Sequence, residues 1–302
     1  MKARVRRLLL VLAAAALLLD GGLLLAERLG AASLPEEDTA YFLDVGEGDC
    51  TLLVSGGSTV LVDAGTPEGA PALVRELKSL GVRRLDAVIA THPHADHIGG
   101  MEAVLRAFPV RSFYMGAETQ SDALDAALRR RRLTPLVPYD GETLTLKGGA
   151  SLTFLGPAED IPADRINDRS LITLFQTGSA SVLLMGDAEE PAEQSLLRHH
   201  PGLRCDILKV GHHGSDTSSS PAFLSALGAQ TAIISCGTDN DYGHPAEQTL
   251  TNLTLAGVRD IRMTAESGTV ALPLIAALCG GIAGLLPAVR AASMDPIEAM
   301  RK

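Results

Sequence analysis

The first part of the chain shows short apolar runs separated by glycine-containing turns. Residues 40–46 (AYFLDVG), 50–57 (CTLLVSGG) and 58–65 (STVLVDAG) follow one another in this way. Runs of that length, bounded by turn residues, predict a meander of strands. Helical spacing of apolar residues follows at 71–82 (PALVRELKSLGV), and 84–92 (RLDAVIATH) predicts another strand.

Farther along, segments with helical spacing alternate with short apolar runs. The predicted helices are GGMEAVLRAF, SDALDAALRRRR, EPAEQSLLRHH, SPAFLSALGA and PAEQTLTNLTLAGV. The predicted strands are SLTFLG, SLITLFQTG, SVLLMGD, CDILKVG, TAIISCG and DIRMTAES. Early strands followed by this alternation predict an α/β fold in which two sheets pack face to face and helices cover their outer faces.

Both ends of the chain carry apolar segments. Four cations near the N-terminus precede an apolar run at residues 8–19. This pattern predicts a cleaved signal peptide or a retained membrane anchor, which together with a linker occupies residues 1–35. Residues 271–288 carry no charge and predict a transmembrane helix, which together with a short basic tail occupies residues 271–302. If both ends span, the positive-inside rule places residues 36–270 outside the cytoplasmic membrane.

The end of the chain has a resemblance of its own. Residues 280–302, GGIAGLLPAVRAASMDPIEAMRK, resemble the C-terminal end of permease subunits of the MacB/FtsX type. A single helix cannot form a transport pathway, so we interpret this segment as a fused or displaced tail that implies no transport by this chain.

Composition and charge limit the possible functions. The chain has a formal net charge of -10, only 3% aromatic residues and no tryptophan. Such a chain is poorly suited to passive nucleic-acid binding through Lys and Arg, although metal ions can supply positive charge for a phosphate substrate. The four cysteines are far apart in the sequence and predict neither a disulfide framework nor a cysteine-based zinc site.

The apolar run LDAVIA leads directly into the stretch ATHPHADHIGG, residues 90–100. Alternate residues of a tight loop can converge on one centre, so His92 and His94 can offer ring nitrogens to one metal ion. Asp96 and His97 lie one turn farther along and can face a second ion. Zinc, manganese and iron accept imidazole and carboxylate ligands, so the stretch predicts a divalent metal site.

Six blocks of the sequence then point to one family. THPHADHIGG resembles the metal-binding signature of the metallo-β-lactamase superfamily. The opening FLDVGEGDCTLLVSGGSTVLVDAG resembles the DVGQGD…LIDAG block of one branch, the C-terminal catalytic domain of ComEC-type competence proteins and its free-standing relatives. The later blocks of that branch resemble, in order, NDRSLITL, VLLMGDAEE, DILKVGHHGSDTSSSPAFL and NDYGHPAEQTL. The resemblance implies a four-layer αββα metallo-β-lactamase fold and a hydrolase domain at residues 36–270.

The resemblance also implies a site for two divalent metal ions, zinc or manganese. The implied ligands are His92, His94, Asp96, His97, Asp187, His212 and His213. Asp187 would bridge both ions, cap the following helix, or do both. Of the two histidines in GHHGS, His213 is the preferred ligand, and His212 would be its neighbour near the metal or the substrate.

Other residues are implied around the metal ions. Asp63 would orient a histidine or the bridging water. His244 would complete the second metal site or contact the substrate, or have only a structural role. Together with Asp96 and Asp187, His244 is an implied catalytic residue.

Some further positions depart from the family pattern or border the implied site. Wider superfamily members carry a further histidine where this chain has INDRS, so Asn167 or Asp168 would substitute for it. Glu47 stands where the branch usually carries glutamine. Lys209 and Ser215 would contact a phosphate, or would instead be a surface lysine and a helix-capping serine.

The implied chemistry is metal-assisted hydrolysis, in which two cations generate a bridging hydroxide near neutral pH and stabilise developing charge on a phosphoryl oxygen. The ComEC branch implies a phosphodiesterase or nuclease that acts on DNA outside the cytoplasmic membrane, secreted or anchored, in a competence or membrane assembly. One alternative is a hydrolase of another extracytoplasmic substrate: a wall-polymer phosphodiester, a nucleotide, a lactam or a thioester. The other is a catalytically weak, membrane-tethered binding domain.

Overall fold

The computed structural model describes residues 33–116, 121–238 and 240–275. In chain order the strands are β1 (Thr39–Phe42), β2 (Thr51–Ser55), β3 (Ser58–Val62), β4 (Leu85–Ala90), β5 (Val110–Met115), β6 (Thr143–Thr145), β7 (Ser151–Phe154), β8 (Thr173–Gln176), β9 (Ser181–Leu184), β10 (Ile207–Lys209), β11 (Thr231–Ile234), β12 (Asp260–Met263) and β13 (Val270–Pro273). The α-helices are α1 (Ala70–Ser79), α2 (Ala95–Ile98), α3 (Met101–Ala107), α4 (Asp122–Arg131), α5 (Glu190–His199), α6 (Pro221–Leu227), α7 (Glu247–Leu255) and α8 (Thr264–Ser267). Short 3₁₀ helices lie at Asn167–Arg169 and Gly211–Gly214.

The strands form two mixed sheets, each with both parallel and antiparallel neighbours. The first sheet has the order β13-β1-β2-β3-β4-β5, and the second has the order β12-β11-β10-β9-β8-β7-β6. In the first sheet β3, β4 and β5 are parallel, and in the second sheet β9 to β12 are parallel. The remaining neighbours pair antiparallel. Loops at the carboxyl ends of parallel strands are the usual place for a ligand site, and both sheets supply such loops.

Three separate apolar cores show how the layers stack. The central core takes side chains from the facing surfaces of both sheets, including Phe42, Phe154 and Phe175. A second core joins the other face of the first sheet to α1, α3 and α4. A third joins the outer face of the second sheet to α5, α6 and α7. The expected four-layer αββα arrangement is therefore confirmed.

The burial of β2 and β3 explains why these segments are so apolar. Every residue of both strands is buried, because the central core covers one face of the sheet and helices cover the other. A strand that is buried on both faces needs consecutive apolar residues rather than a polar alternation. The predicted meander of three strands is confirmed.

The sequence pattern did not predict every element. Strands β5, β6 and β13 and the short helices α2 and α8 were not expected. Each predicted helix is present and each predicted strand is present at least in part, but TAES, which was predicted as the end of a strand, forms α8. Strand β13 pairs with β1, with Pro273 opposite Thr39. The domain boundary that was expected at residue 270 therefore falls inside the first sheet, and the expected membrane helix begins as a strand.

The two apolar end segments lie mostly outside the described residues, which exclude 1–32 and 276–302. In the part of the chain that the structure describes, no helix has the length and apolar character needed to cross a membrane. The permease-like tail likewise lies outside the described residues.

Glu193 on α5 gives the stability of the fold a predicted pH dependence. Its buried carboxylate accepts the backbone N–H groups of Ser219 and Ser220 at the start of α6. Burial nevertheless raises its pKa from 4.5 to about 7. Because the folded-state pKa lies above the unfolded one, this group's contribution to stability is complete below about pH 4.5 and is lost as the pH rises through about 7.

We therefore expect the free energy of unfolding of the wild type to fall by about 3 kcal/mol between pH 4.5 and pH 8.5, relative to that of Glu193→Gln. Urea unfolding with a chelator present measures this difference without a contribution from bound metal. Glu247→Gln, which changes an exposed carboxylate on α7, is the control and should follow the wild-type pH profile. Parallel profiles for the wild type and Glu193→Gln would contradict the prediction.

Candidate metal centre

Loops from both sheets meet at one place. Asp63 follows β3 and residues 91–97 follow β4, both in the first sheet. Asp187 follows β9, residues 211–214 follow β10, and His244 lies in the loop after β11, all in the second sheet. The side chains described below therefore come together only when the two sheets are packed against each other.

The turn after β4 directs the histidine-rich stretch. His94 has an extended backbone and precedes α2, whose single turn carries Asp96 and His97. The chain then passes so close to the end of β3 that a Cβ at Gly100 would lie 2.1 Å from the carbonyl oxygen of Ala64. Only glycine permits that approach, which explains the second glycine of HIGG.

The backbone after β10 is strained. His212 and His213 have φ values of 48° and 54°, in the left-handed region. A residue with a Cβ adopts this region at a cost on the order of 1 kcal/mol. The turn is held by hydrogen bonds from His212 N to Gly186 O and from Ser215 N to His212 O. The strained conformation places the His213 ring inside the cluster.

Asp96, His97, Asp187 and His213 form the first group of potential metal ligands. His97 Nε2 lies 3.1 Å from Asp187 Oδ1 and 3.3 Å from His213 Nε2. His213 Nε2 lies 3.1 Å from Asp96 Oδ2. Because the ligand atoms all lie within 4.8 Å of one another, the four side chains could hold one metal ion.

His92, His94 and Asp187 form the second group. His92 Nε2 lies 3.0 Å from His94 Nδ1 and 3.4 Å from Asp187 Oδ2. Asp187 therefore presents one carboxylate oxygen to each group. Two groups that share one carboxylate are the arrangement expected of a site for two metal ions.

Hydrogen bonds determine which ring nitrogens face the cluster. His213 Nδ1 donates to the carbonyl oxygen of Ser235 at 2.9 Å, and His97 Nδ1 donates to Asp63 Oδ2 at 2.8 Å. Carbonyl and carboxylate oxygens only accept hydrogen bonds, so Nδ1 of each ring carries a proton. Nε2 is then the nitrogen left for a metal ion.

A hydroxyl relay orients His92 in the same way. Thr91 Oγ1 donates its proton to Asp63 Oδ2 at 2.7 Å, so it accepts from His92 Nδ1, which is 3.1 Å away. Asp63 therefore orients one ring of each group, His97 directly and His92 through Thr91.

The residues present fit a pair of divalent cations. Asp187 is 2% exposed, and its Oδ1 has no hydrogen-bond partner among the described residues. Burial by itself would raise the pKa of this carboxyl group, but the nearby His97 and His213 rings hold that pKa well below its usual range. The pocket thus favours positive charge around Asp187. Imidazole and carboxylate donors suit zinc or manganese.

An open cleft leads to this cluster. Its volume is about 560 Å³, and its wall includes His94, Asp96, His212, Tyr242 and His244. Among the described residues that line it, none is lysine or arginine. Cations held at the floor of the cleft would therefore be its main source of positive charge.

His212 and His244 lie on the cleft wall rather than in either group of ligands. His212 Nδ1 lies 3.1 Å from Glu189 Oε1. The His244 ring stacks on His213 with centroids 6.0 Å apart, and His244 Nδ1 lies 3.4 Å from Glu47 Oε1. His212 Nε2 lies 3.9 Å from Asp187 Oδ2, so His212 as a ligand stays a prediction. His244 lines the cleft and could contact a substrate there.

Asp168 belongs to neither group of potential ligands, and the substitution of Asn167 or Asp168 for a histidine stays a prediction. Asp168 Oδ1 accepts the N–H groups of Glu189 and Ala192 at the start of α5. Asn167 Nδ2 donates to Glu189 Oε1. Glu189 Oε1 also lies 3.1 Å from His212 Nδ1, so Asn167 is linked to the cleft wall through Glu189. Asp168 also supplies the helix cap that had been considered for Asp187.

Lys209 and Ser215 do not face the cleft. Lys209 is 2% exposed, and its Nζ lies 2.7 Å from Asp49 Oδ2. It is therefore a buried ion-pair partner of Asp49 rather than a surface lysine. Ser215 is buried and its hydroxyl lies 3.0 Å from Thr217 Oγ1, while Ser220 is the N-cap of α6.

The sequence analysis missed the hydroxyl groups that support the cluster. Ser170 Oγ accepts the backbone N–H of Asp187 and lies 3.4 Å from His92 Nδ1. Thr91 forms the relay to Asp63. Thr91 is the first residue of THPH, and Ser170 is the last residue of INDRS. Their position beside the candidate ligands was the available signal that they support the cluster.

A family model described as the Metallo-beta-lactamase superfamily matches residues 43–238. The chain is 31% identical to ComE operon protein 3 of Bacillus subtilis, over 78% of this chain and 33% of that protein. It is 32% identical to Competence protein ComA of Neisseria gonorrhoeae, over 76% of this chain and 32% of that protein. The chain therefore spans about a third of the length of these two relatives.

Two further proteins resemble this chain, one in sequence and one in structure. The chain is 42% identical to Hydroxyacylglutathione hydrolase of Anaeromyxobacter dehalogenans, over 70% of this chain and 78% of that protein. Among solved structures, the metallo-beta-lactamase fold protein YhfI from Bacillus subtilis has a TM-score of 0.51 at 15% identity, covering 78% of this chain and 100% of that chain. At that level of identity the structural match shows a shared fold alone.

We expect Asp187→Asn to lose most of the bound metal, because a neutral amide cannot compensate cations on both sides. Elemental analysis of the chain, purified without chelators, measures the metal content, and circular dichroism reports folding. The matched control is Asp140→Asn, which changes a partly exposed carboxylate paired with His200. A folded Asp187→Asn protein with the wild-type metal content would contradict the assignment.

We expect Thr91→Val to weaken metal binding by roughly 10- to 100-fold, since it keeps the side-chain shape but releases His92 Nδ1 from its acceptor. Competition with a chelating dye measures the affinity. Thr143→Val, at an exposed position of β6, is the control. Unchanged affinity in Thr91→Val would show that the relay does not orient His92.

Proposed function

The chain belongs to the metallo-beta-lactamase superfamily, and from this premise we propose that it is a metal-dependent phosphodiesterase that cleaves DNA outside the cytoplasmic membrane. Members of this superfamily are metal-dependent hydrolases. The observation that carries the proposal is the buried Asp187 carboxylate, shared by two groups of potential ligands at the floor of an open cleft. A pair of cations on one carboxylate suits in-line displacement at phosphorus.

In the proposed site, His92 and His94 would hold one cation, Asp96, His97 and His213 would hold the other, and Asp187 would be shared by both. Zinc or manganese would supply hydroxide near neutral pH and stabilise negative charge on the phosphoryl group.

The protein's own side chains position the reactants. Asp63 orients His97 directly and His92 through Thr91. Asp96 is the more open of the two proposed carboxylate ligands, with its side chain 31% exposed, and would accept a hydrogen bond from the attacking water. His244, on the cleft wall, contacts the substrate phosphate.

Similarity to competence proteins supports DNA as the substrate. Two relatives, at 31% and 32% identity, carry the names ComE operon protein 3 and Competence protein ComA. Because this chain spans about a third of their length, we propose that it supplies the hydrolytic step of a competence or membrane assembly. Residues 1–35 would direct it across the membrane as a signal peptide or anchor, and the apolar segment after the last strand would add a second attachment.

Thioester hydrolysis is the second candidate function. It is favoured by the similarity to Hydroxyacylglutathione hydrolase, which extends over 78% of that protein. The same pair of cations would stabilise charge on a carbonyl oxygen instead of a phosphoryl oxygen. The two candidates predict different substrates for one metal site, so a parallel assay separates them.

The purified full chain, loaded with manganese or zinc, should cleave single-stranded DNA and bis-p-nitrophenyl phosphate. Asp187→Asn should reduce kcat roughly 100- to 1000-fold, since it removes several kcal/mol of charge stabilisation. Chelation should abolish activity, and Asp140→Asn is again the control. Hydrolysis of a hydroxyacyl-glutathione thioester without cleavage of either phosphodiester would replace the proposed function with the second candidate.

A further inference from the structure

Three aromatic rings run from the proposed metal centre to the rim of the cleft in nearly parallel orientation. The His213 and His244 rings are 6.0 Å apart with an interplanar angle of 24°, and the His244 and Tyr242 rings are 5.7 Å apart at 17°. Tyr242 is 75% exposed and lines the cleft. The series therefore ends in an aromatic face that is open to solvent beside the reaction site.

Exposed aromatic side chains are rare in this chain, which has six phenylalanines and four tyrosines. All six phenylalanines are buried, and among the described residues the only strongly exposed aromatic side chains are Tyr139 and Tyr242. Tyr139 does not line the cleft. The position of Tyr242 is thus unusual both for its exposure and for its place at the cleft.

The loop that carries Tyr242 is braced on both sides. Asn240 Nδ2 donates to the carbonyl oxygens of Gly237 and His244, and Asn240 Oδ1 accepts the N–H of His244. Farther along, Ala246 N donates to Gly214 O. These bonds tie the loop to β11 and to the turn that carries His213. The aromatic face is therefore held ready for a ligand, which lowers the entropy lost on binding.

Charge in the cleft argues against binding a nucleic acid through its phosphates alone. The described lining residues include Glu47 and Glu68 but no lysine or arginine, and the chain carries a net charge of -10. Apart from cations at the metal centre, nothing among these residues attracts a polyanion. Affinity for a nucleic acid must then come from contacts with the bases, and an aromatic face provides such contacts without sequence preference.

We propose that Tyr242, stacked on His244, is the platform that binds the nucleobase next to the scissile phosphate. This inference rests on the proposed phosphodiesterase function and deepens it by naming the part of the substrate that is recognised. In duplex DNA the bases are stacked on one another and paired, and exposing one for contact with a protein costs free energy. The platform therefore makes the site selective for single-stranded nucleic acid.

The test compares two substrates that differ only in their bases. The full chain with manganese is assayed on single-stranded oligothymidylate and on an abasic phosphodiester chain of equal length, and KM and kcat are measured separately. The variants are Tyr242→Ala, Tyr242→Leu and Tyr242→Trp. Tyr139→Ala is the matched control, because it removes the other exposed tyrosine, outside the cleft.

We expect Tyr242→Ala and Tyr242→Leu to raise KM for oligothymidylate roughly 5- to 100-fold, with little change in kcat and no change in KM for the abasic chain. Tyr242→Trp should restore the wild-type KM, and Tyr139→Ala should not change it. All variants should keep the wild-type metal content, because Tyr242 contacts no proposed ligand directly.

Three results would overturn the inference: an unchanged KM in Tyr242→Ala, an equal rise in KM for both substrates, or a fall in kcat on both. The last two would mean that Tyr242 only supports His244. If instead the metal-loaded wild type cleaves neither chain nor bis-p-nitrophenyl phosphate, the proposed phosphodiesterase function itself is wrong, and the inference fails with it.

Discussion

A buried negative charge at Asp187 constrains the rest of this structure. An ionised carboxylate is stable in the interior only when positive or hydrogen-bonding groups compensate it. Here the side chains that face the carboxylate, and that would hold cations against it, come from both sheets: His92 and His97 from the first and His213 from the second. The central apolar core fixes the distance between these sheets, so its packing determines whether the groups meet around Asp187.

Asp63 has a related role, because the hydrogen bonds that it accepts orient the histidine rings. Its Oδ2 accepts hydrogen bonds from the His97 ring and from the Thr91 hydroxyl that in turn accepts from His92. One carboxylate thus fixes the orientation of a ring in each group of potential ligands. The two proposed metal positions are therefore coupled twice, through Asp187 between them and through Asp63 behind them.

Much of this could be predicted from the sequence, because it depends on local pattern. The alternation of strands and helices and the spacing of HPHADH are visible within short windows. Contacts between distant segments are not: nothing near Lys209 reveals that Asp49 neutralises it in the interior. Strand β13 was missed because its residues open a longer apolar run, and composition alone does not distinguish a short buried strand from the start of a helix.

The pairing of β1 with β13 has a consequence for how this unit can be connected. Thr39 lies opposite Pro273, so the chain enters and leaves the folded unit at neighbouring points on the outer edge of the first sheet. A unit whose two ends are adjacent can be placed within a longer polypeptide as a side branch, without separating the segments on either side of it. The same domain can thus be joined to quite different neighbours while its own layers, and the cluster between them, keep their geometry.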